Sequence, residues 1–384
     1  MKNKKKTEAI KQGIKKIPLS SPFIEEDDIQ AVVNVLRTRW LSLGPKLPEF
    51  EEKFAKYIGT RYAVAVNSGT SALHLAVKAL GIGPGDEVIV TPFSFVASAN
   101  CVLYEGATPV FVDIEPDTFN IDPKKIEEKI TTRTKAIIPV DVFGRPSNKN
   151  AIMKIAKKHN LKIIEDSAEA LGAEYKGKKV GAFGDCAIFA FYPNKQMTTG
   201  EGGVLVTDNK EIYDLCVSYR NQGRGAGGEW HEYVRLGYNY RLSDINCALG
   251  ISQLAKIEML LKKRAEVAKE YTNRLKKIKG IKIPFDSTKE FKVSWFVYVI
   301  QVDNKEAFMS ELTKRGVQCS SYFNPIHLMS FYKEKFGFKP GDFPVCEAVA
   351  KTTVALPFYS AMSKEDVAYV CEKIAEVQKK LIGG

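Results

Sequence analysis

Seven short apolar, β-branched runs separated by helical stretches predict an α/β chain: a mostly parallel sheet covered by helices, followed by a smaller α+β domain. The runs fall at residues 62–66, 87–91, 109–113, 136–140, 162–165, 187–191 and 204–207. Helical stretches at 71–80, 96–104, 123–130 and 148–159 lie between them, and strands joined through helices are parallel crossovers. The last two runs have no helix between them, so one antiparallel pair is expected there. Length is the third observation, because 384 residues suffice for one large domain and a smaller one.

In chain order, residues 1–17 read as a basic, frayed tail, 18–255 as the large domain and 256–384 as the small one. Acids at 25–28 lead into Ile29, Val32, Val33, Val35 and Leu36. Negative charge in a first turn, followed by that apolar spacing, predicts a helix. A second is expected over 48–58. After the seventh run the chain turns helical, passes a Gly-rich loop at 223–228, and enters one long amphipathic helix over 243–275 that links the domains. The alternating segment 294–300 predicts a strand. A helix at 305–315, a loop at 322–329 and a final helix from Ser363 complete the small domain.

Composition narrows the function. Hydrophobic residues at 45% and charged residues at 27% describe an ordinary globular protein. No apolar run approaches the roughly 20 residues of a membrane helix, and the basic start has no apolar core for a signal peptide. A cytoplasmic protein with no membrane partner is expected. Its seven cysteines are scattered without a Cys-x-x-Cys pair, which reads as buried, reduced thiols. The net charge of +12 is spread among acids except at 2–6, which suits an anionic substrate such as a diphosphate better than nucleic acid. The four histidines lack ligand spacing, so no metal is expected. GAEYKGKK at 172–179 lacks the hydroxyl of a phosphate-binding loop and reads as a Lys-Gly turn between strands. GRGAGG at 223–228 spells a dinucleotide pattern but follows no strand, so a mobile loop is expected.

Ligands in open α/β sheets bind beyond the carboxyl ends of the strands. Four such loops suit pyridoxal phosphate. NSGTSAL at 67–73 opens a helix, whose free amides and hydroxyls could cradle a phosphate. Phe95 follows the second run and could stack on a flat ring or belong to the core. Asp166 could pair with a pyridine nitrogen and keep the ring an electron sink, or merely cap a helix. Lys195, in FAFYPNKQMTTGEGG, would supply the amine for a Schiff base.

SGTSAL, GIGPGDEVIVTPFSF, GATPVFVDI, IIEDSAEALGA, NKQMTTGEGG, GYNYRLSDINCALG and PIHL together resemble the DegT/DnrJ/EryC1/StrS family of sugar aminotransferases, within the fold-type-I, aspartate aminotransferase-like enzymes. The resemblance runs from about residue 18 to 382. It implies pyridoxal phosphate as cofactor, with Lys195 as the covalent attachment, Asp166 as the pyridine partner, Phe95 as the stacking ring and Gly69 and Thr70 as the phosphate cradle. Glu169 stands where the family often has Gln or His on the cofactor. Asn239 matches a residue that reaches the neighbouring subunit's cofactor, which implies a homodimer with shared sites. Ala190 replaces a serine that commonly contacts the phosphate. Trp40, Arg241, Tyr322 and His327 are candidates for the substrate. The implied reaction moves an amino group, from glutamate, to a nucleotide-linked 4-keto-6-deoxy sugar in polysaccharide biosynthesis. A sugar dehydratase of the same family and a regulatory protein retaining the fold are the alternatives.

Overall fold

The structure, a computed structural model, describes residues 15–225 and 232–382. Helices α1 (Glu26–Thr38) and α2 (Lys46–Ile58) precede β1 (Tyr62–Val66), α3 (Gly69–Ala79), β2 (Glu87–Val90), α4 (Ala97–Tyr104) and β3 (Thr108–Phe111). Then come β4 (Thr134–Ile138), α5 (Lys149–His159), β5 (Lys162–Asp166), β6 (Glu174–Tyr175), β7 (Lys178–Lys179), β8 (Cys186–Ala190), β9 (Gly203–Thr207) and α6 (Lys210–Arg220). The remainder comprises α7 (Asp244–Ala255), α8 (Ile257–Leu275), β10 (Phe291–Lys292), β11 (Tyr298–Gln301), α9 (Lys305–Lys314), α10 (Ser330–Phe336), α11 (Pro344–Thr352), β12 (Thr353–Leu356) and α12 (Lys364–Ile382).

All seven predicted runs form one seven-stranded sheet in the order β1-β9-β8-β5-β4-β2-β3. Its pairs are parallel except at β9, which runs antiparallel to both β8 and β1. The cause is the connection 191–202, which contains no helix and so cannot carry the chain back for a parallel crossover. Alternate residues serve opposite faces. Val64, Val66, Ile164, Ile188 and Leu205 join one core, and Ala63, Ala65, Ala187, Phe189 and Val206 another. The carboxyl ends of β1, β2, β5 and β8 therefore meet the amino end of β9 along one edge.

Four expectations are corrected. The helix over 123–130 is two short 3-10 turns, Pro123–Lys125 and Glu127–Lys129; none of 127–129 is buried, so no apolar stripe holds a longer helix. The helix over 243–275 is broken at Lys256 (φ −110°, ψ 14°), whose ammonium is drawn to Asp28 on α1 at 3.0 Å. The strand over 294–300 begins only at Tyr298. Trp295 has φ 53°, and Ser294 and Phe296 donate instead to the carbonyls of Gly144 and Phe143. The tail ends before Ile17, which is 2% exposed and donates to the Gly316 carbonyl at 2.9 Å; residues 1–14 lie outside the described residues. Ile17 joins a second core built on α8, α9, α12, β11 and β12.

The 172–179 glycine pattern is a turn between β6 and β7, with Lys176 and Gly177 both at positive φ. In the Gly-rich loop, Arg224 bridges Tyr233, and residues 226–231 lie outside the described residues.

Candidate active site

A cavity of about 520 Å³ opens at the strand edge. Its wall includes Gly69, Thr70, Phe95, Asp166, Glu169 and Lys195, so six residues from four sequence motifs are brought together.

The cradle at α3 is built from its cap. The Ser68 hydroxyl accepts the Ser71 N–H at 3.0 Å, and Ser71 Oγ donates to Asn67 Oδ1 at 2.7 Å. With Ser71 occupied in this way, the Gly69 and Thr70 N–H groups lead the helix. Glycine is needed at 69 because a Cβ there would stand 2.7 Å from the Ala190 Cβ. Gly203 is equally constrained, since its Cβ would stand 2.6 Å from the Ser68 carbonyl oxygen. Ala190 thus forms the floor of the cradle and offers no hydrogen-bonding group.

Asp166 ends β5, fully buried. Its Oδ2 accepts the Ser98 hydroxyl at 2.6 Å, and Ser98 is in turn 2.8 Å from Ser94 Oγ. Burial raises the Asp166 pKa above the ordinary carboxylate value, against the lowering effects of Ser98 and Lys195. Glu169 is also raised by burial; its Oε2 accepts the Phe143 N–H at 3.0 Å, while Oε1 stands 3.5 Å from Lys195 Nζ. Burial lowers the Lys195 pKa, outweighing the opposing pull of Glu169 and Asp166. Its ammonium also sits 3.8 Å from the Phe296 ring centroid.

Phe95 is 62% exposed at the cavity wall, whereas Phe93 is fully buried. The alternative that Phe95 is a core residue is thereby removed. Tyr322 also lines the cavity. The other expected substrate contacts do not. His327 is fully buried and bonded to Glu347 at 3.1 Å. Trp40 Nε1 donates to the Ser42 carbonyl, and Arg241 Nη1 to Asn221 Oδ1 at 3.1 Å. Asn239 is exposed, bridged to Asn221 at the end of α6 and outside the cavity of its own chain.

Ser98, Phe296 and Arg264 were missed by sequence reasoning. Ser98 carried a weak signal, lying four residues after Ser94 at a helix start. Phe296 was hidden in an apparent strand, and Arg264 looked like one more base on an amphipathic helix.

A model of the DegT/DnrJ/EryC1/StrS aminotransferase family matches residues 22–375. The chain belongs to this family. The spore coat polysaccharide biosynthesis protein SpsC of Bacillus subtilis is 40% identical over 379 residues, covering 94% of this chain and 97% of the relative. The GDP-perosamine synthase of Escherichia coli O157:H7 is 37% identical over 367 residues, covering 94% and 99%. Among solved structures, Spr1654 of Streptococcus pneumoniae in its PLP form superposes with a TM-score of 0.91 at 31% identity, covering 96% and 100%. The protein is an enzyme, a PLP-dependent sugar aminotransferase of the fold-type-I architecture, and its mostly parallel sheet is the one expected for that class. Among the described residues no helix is long and apolar enough to cross a membrane.

Proposed function

We propose that the enzyme takes an amino group from an amino acid, glutamate, and delivers it to the keto group of a nucleotide-linked 4-keto-6-deoxyhexose in polysaccharide biosynthesis. One observation carries this reading: a buried amine with a lowered pKa and a buried carboxylate share a cavity with a helix-start anion cradle. These residues fit pyridoxal phosphate. Asp166 is a buried carboxylate without a cation bonded to it among the described residues, as a protonated ring nitrogen requires. Asn194 Oδ1, also in the wall, is buried without a partner among the described residues.

The Gly69 and Thr70 amides would hold the phosphate, Phe95 the ring face, Asp166 the ring nitrogen and Lys195 the covalent link, with Glu169 beside that link. Bound there, the cofactor supplies an electron sink for a carbanion. Lys195 Nζ, once released, takes the proton from the donor's α-carbon, and its lowered pKa leaves more of it neutral for that task. Phe296, Tyr322 and Phe323 give the cavity an aromatic wall, with the Phe296 ring against the amine. The retained lysine favours amino transfer over the dehydratase alternative.

The exposed apolar side chains Trp40, Leu41, Leu43, Phe95, Tyr192 and Leu236 support a homodimer in which Asn239 completes the partner's site. The seven unpaired cysteines support a reducing, cytoplasmic setting. Glutamate and a panel of nucleotide-linked keto sugars test the reaction. Stoichiometric 2-oxoglutarate and an amino sugar are expected, and both must vanish in Lys195→Ala. Turnover surviving that substitution, or none with any keto sugar, refutes the reading.

A further inference from the structure

Helix α8 carries a buried cation with no ion pair among the described residues. Arg264 is 3% exposed, and carbonyl oxygens alone receive its guanidinium. Nη2 donates to the Lys195 carbonyl at 2.7 Å and to the Asn194 carbonyl at 3.3 Å. Nη1 donates to the Phe296 carbonyl at 3.1 Å and the Trp295 carbonyl at 3.3 Å. The Phe358 ring covers the guanidinium at 5.5 Å. Burying an unpaired charge is costly, and an apolar residue of similar volume would fill the same space. What an apolar residue cannot do is bind two separate chain segments through one planar fork.

We propose that Arg264 is a positioning residue for Lys195, a clamp that ties the lysine's own peptide to the turn carrying Phe296. Among the described residues, backbone pairing does not hold the two segments in register; side chains do. Residues 193–196 follow β8, whereas 294–296 lead into β11 and bond to Phe143 and Gly144. Gln196 reinforces the clamp, with Nε2 donating to Ser294 Oγ at 3.0 Å. Phe296 in turn faces the amine at 3.8 Å. The clamp therefore sets where Lys195 Nζ stands relative to its aromatic wall. Its charge also acts on the amine. Burial lowers the Lys195 pKa first, and the nearby guanidinium adds to that lowering.

The inference rests on the Lys195 chemistry proposed above, so wild-type holoenzyme is measured first: failure of its glutamate half-reaction condemns that chemistry, not the clamp. Arg264→Lys keeps the charge and loses the fork; Arg264→Met loses both. In both full-length variants the single-turnover glutamate half-reaction, corrected for folded fraction by circular dichroism, is expected to slow by about 100-fold, the effect of roughly 1 Å of misplacement. A second readout is independent of turnover. After cofactor removal, the pH dependence of Lys195 acetylation by acetic anhydride, read by peptide mass spectrometry, should move to higher pH in Arg264→Met and less in Arg264→Lys. Phe296→Leu removes the wall at the other end of the clamp and should also slow the half-reaction, which keeps the test alive if Arg264→Met does not fold. Wild-type rates per folded molecule in Arg264→Lys overturn the proposal, as does an unshifted acetylation profile in Arg264→Met.

Discussion

Replacing Gly69 with alanine is expected to weaken cofactor binding while leaving the sheet intact. A methyl built on Gly69 meets the Ala190 Cβ at 2.7 Å, with the Ala190 Cα next at 3.6 Å and the Phe189 carbonyl oxygen at 4.0 Å. Carbon atoms in good contact stand about 3.5–4.0 Å apart, so the cradle must open by roughly an ångström. Overpacking of this kind costs about 1–3 kcal/mol. Strain relieved by moving residues 68–70 falls on the phosphate contacts, and that energy corresponds to about a 5- to 140-fold loss of affinity. Titrating pyridoxal phosphate into cofactor-free protein, and following the visible absorbance of the lysine-bound form, measures it. Ala190→Gly in the same molecule removes the atom that is struck. The double variant should recover most of the affinity, at a cost of about 0.5–1 kcal/mol for a glycine in a strand. Undiminished affinity in Gly69→Ala, or no recovery in the double variant, refutes the close-approach argument.

Lys149 is fully buried against Asp141 at 2.7 Å and Glu165 at 2.9 Å. Lys149→Met strands both carboxylates, and urea denaturation should show a loss of about 3–5 kcal/mol. Burial alone would raise Glu165, but Lys149 and backbone amides hold it below its ordinary value. Its contribution is therefore present above the unfolded pKa and lost as pH falls through the folded one. The deficit of Lys149→Met should accordingly shrink in acid, and a constant deficit down to the acid transition contradicts the assignment. Glu169→Gln removes a carboxylate that supports the charged form of Lys195 against burial. The Lys195 acetylation profile should then move to lower pH, opposite to the shift expected in Arg264→Met; an upward or absent shift counts against the contact. Ser98→Ala deletes the 2.6 Å bond to Asp166 and should cost about 1.5–3 kcal/mol in the free protein, measured by urea unfolding.

Much of the large sheet was legible because its strands are short β-branched runs interrupted by capped helices, and this local rhythm survives packing. The antiparallel β9 was also legible, since a connection without a helix cannot make a crossover. Legibility failed where a local pattern met a tertiary bond. Residues 294–300 alternate like a strand, yet Ser294 and Phe296 find their partners at Gly144 and Phe143, and the chain turns at Trp295 instead. Helix 243–275 has continuous helical spacing, and its break at Lys256 coincides with an ion pair to Asp28 on α1.

By itself the sequence determined the chemistry available at the strand edge, Lys195, Asp166 and the Gly69–Thr70 helix start, while Glu169 was placed by the family resemblance and Phe95 stayed open between a stacking ring and a core residue. The first three are properties of residue type and position after a strand, and they need no knowledge of distant contacts. Only the tertiary structure decided which groups tune that chemistry. Ser98 reaches Asp166 across 68 residues, Arg264 reaches Lys195 across 69, and Phe296 comes under the amine from the turn before β11. His327, attractive in its motif, was instead withdrawn into a buried bond with Glu347. The physical reason is common to all four: a buried polar or aromatic group takes its role from the partner that desolvation forces on it, and sequence spacing does not encode that partner.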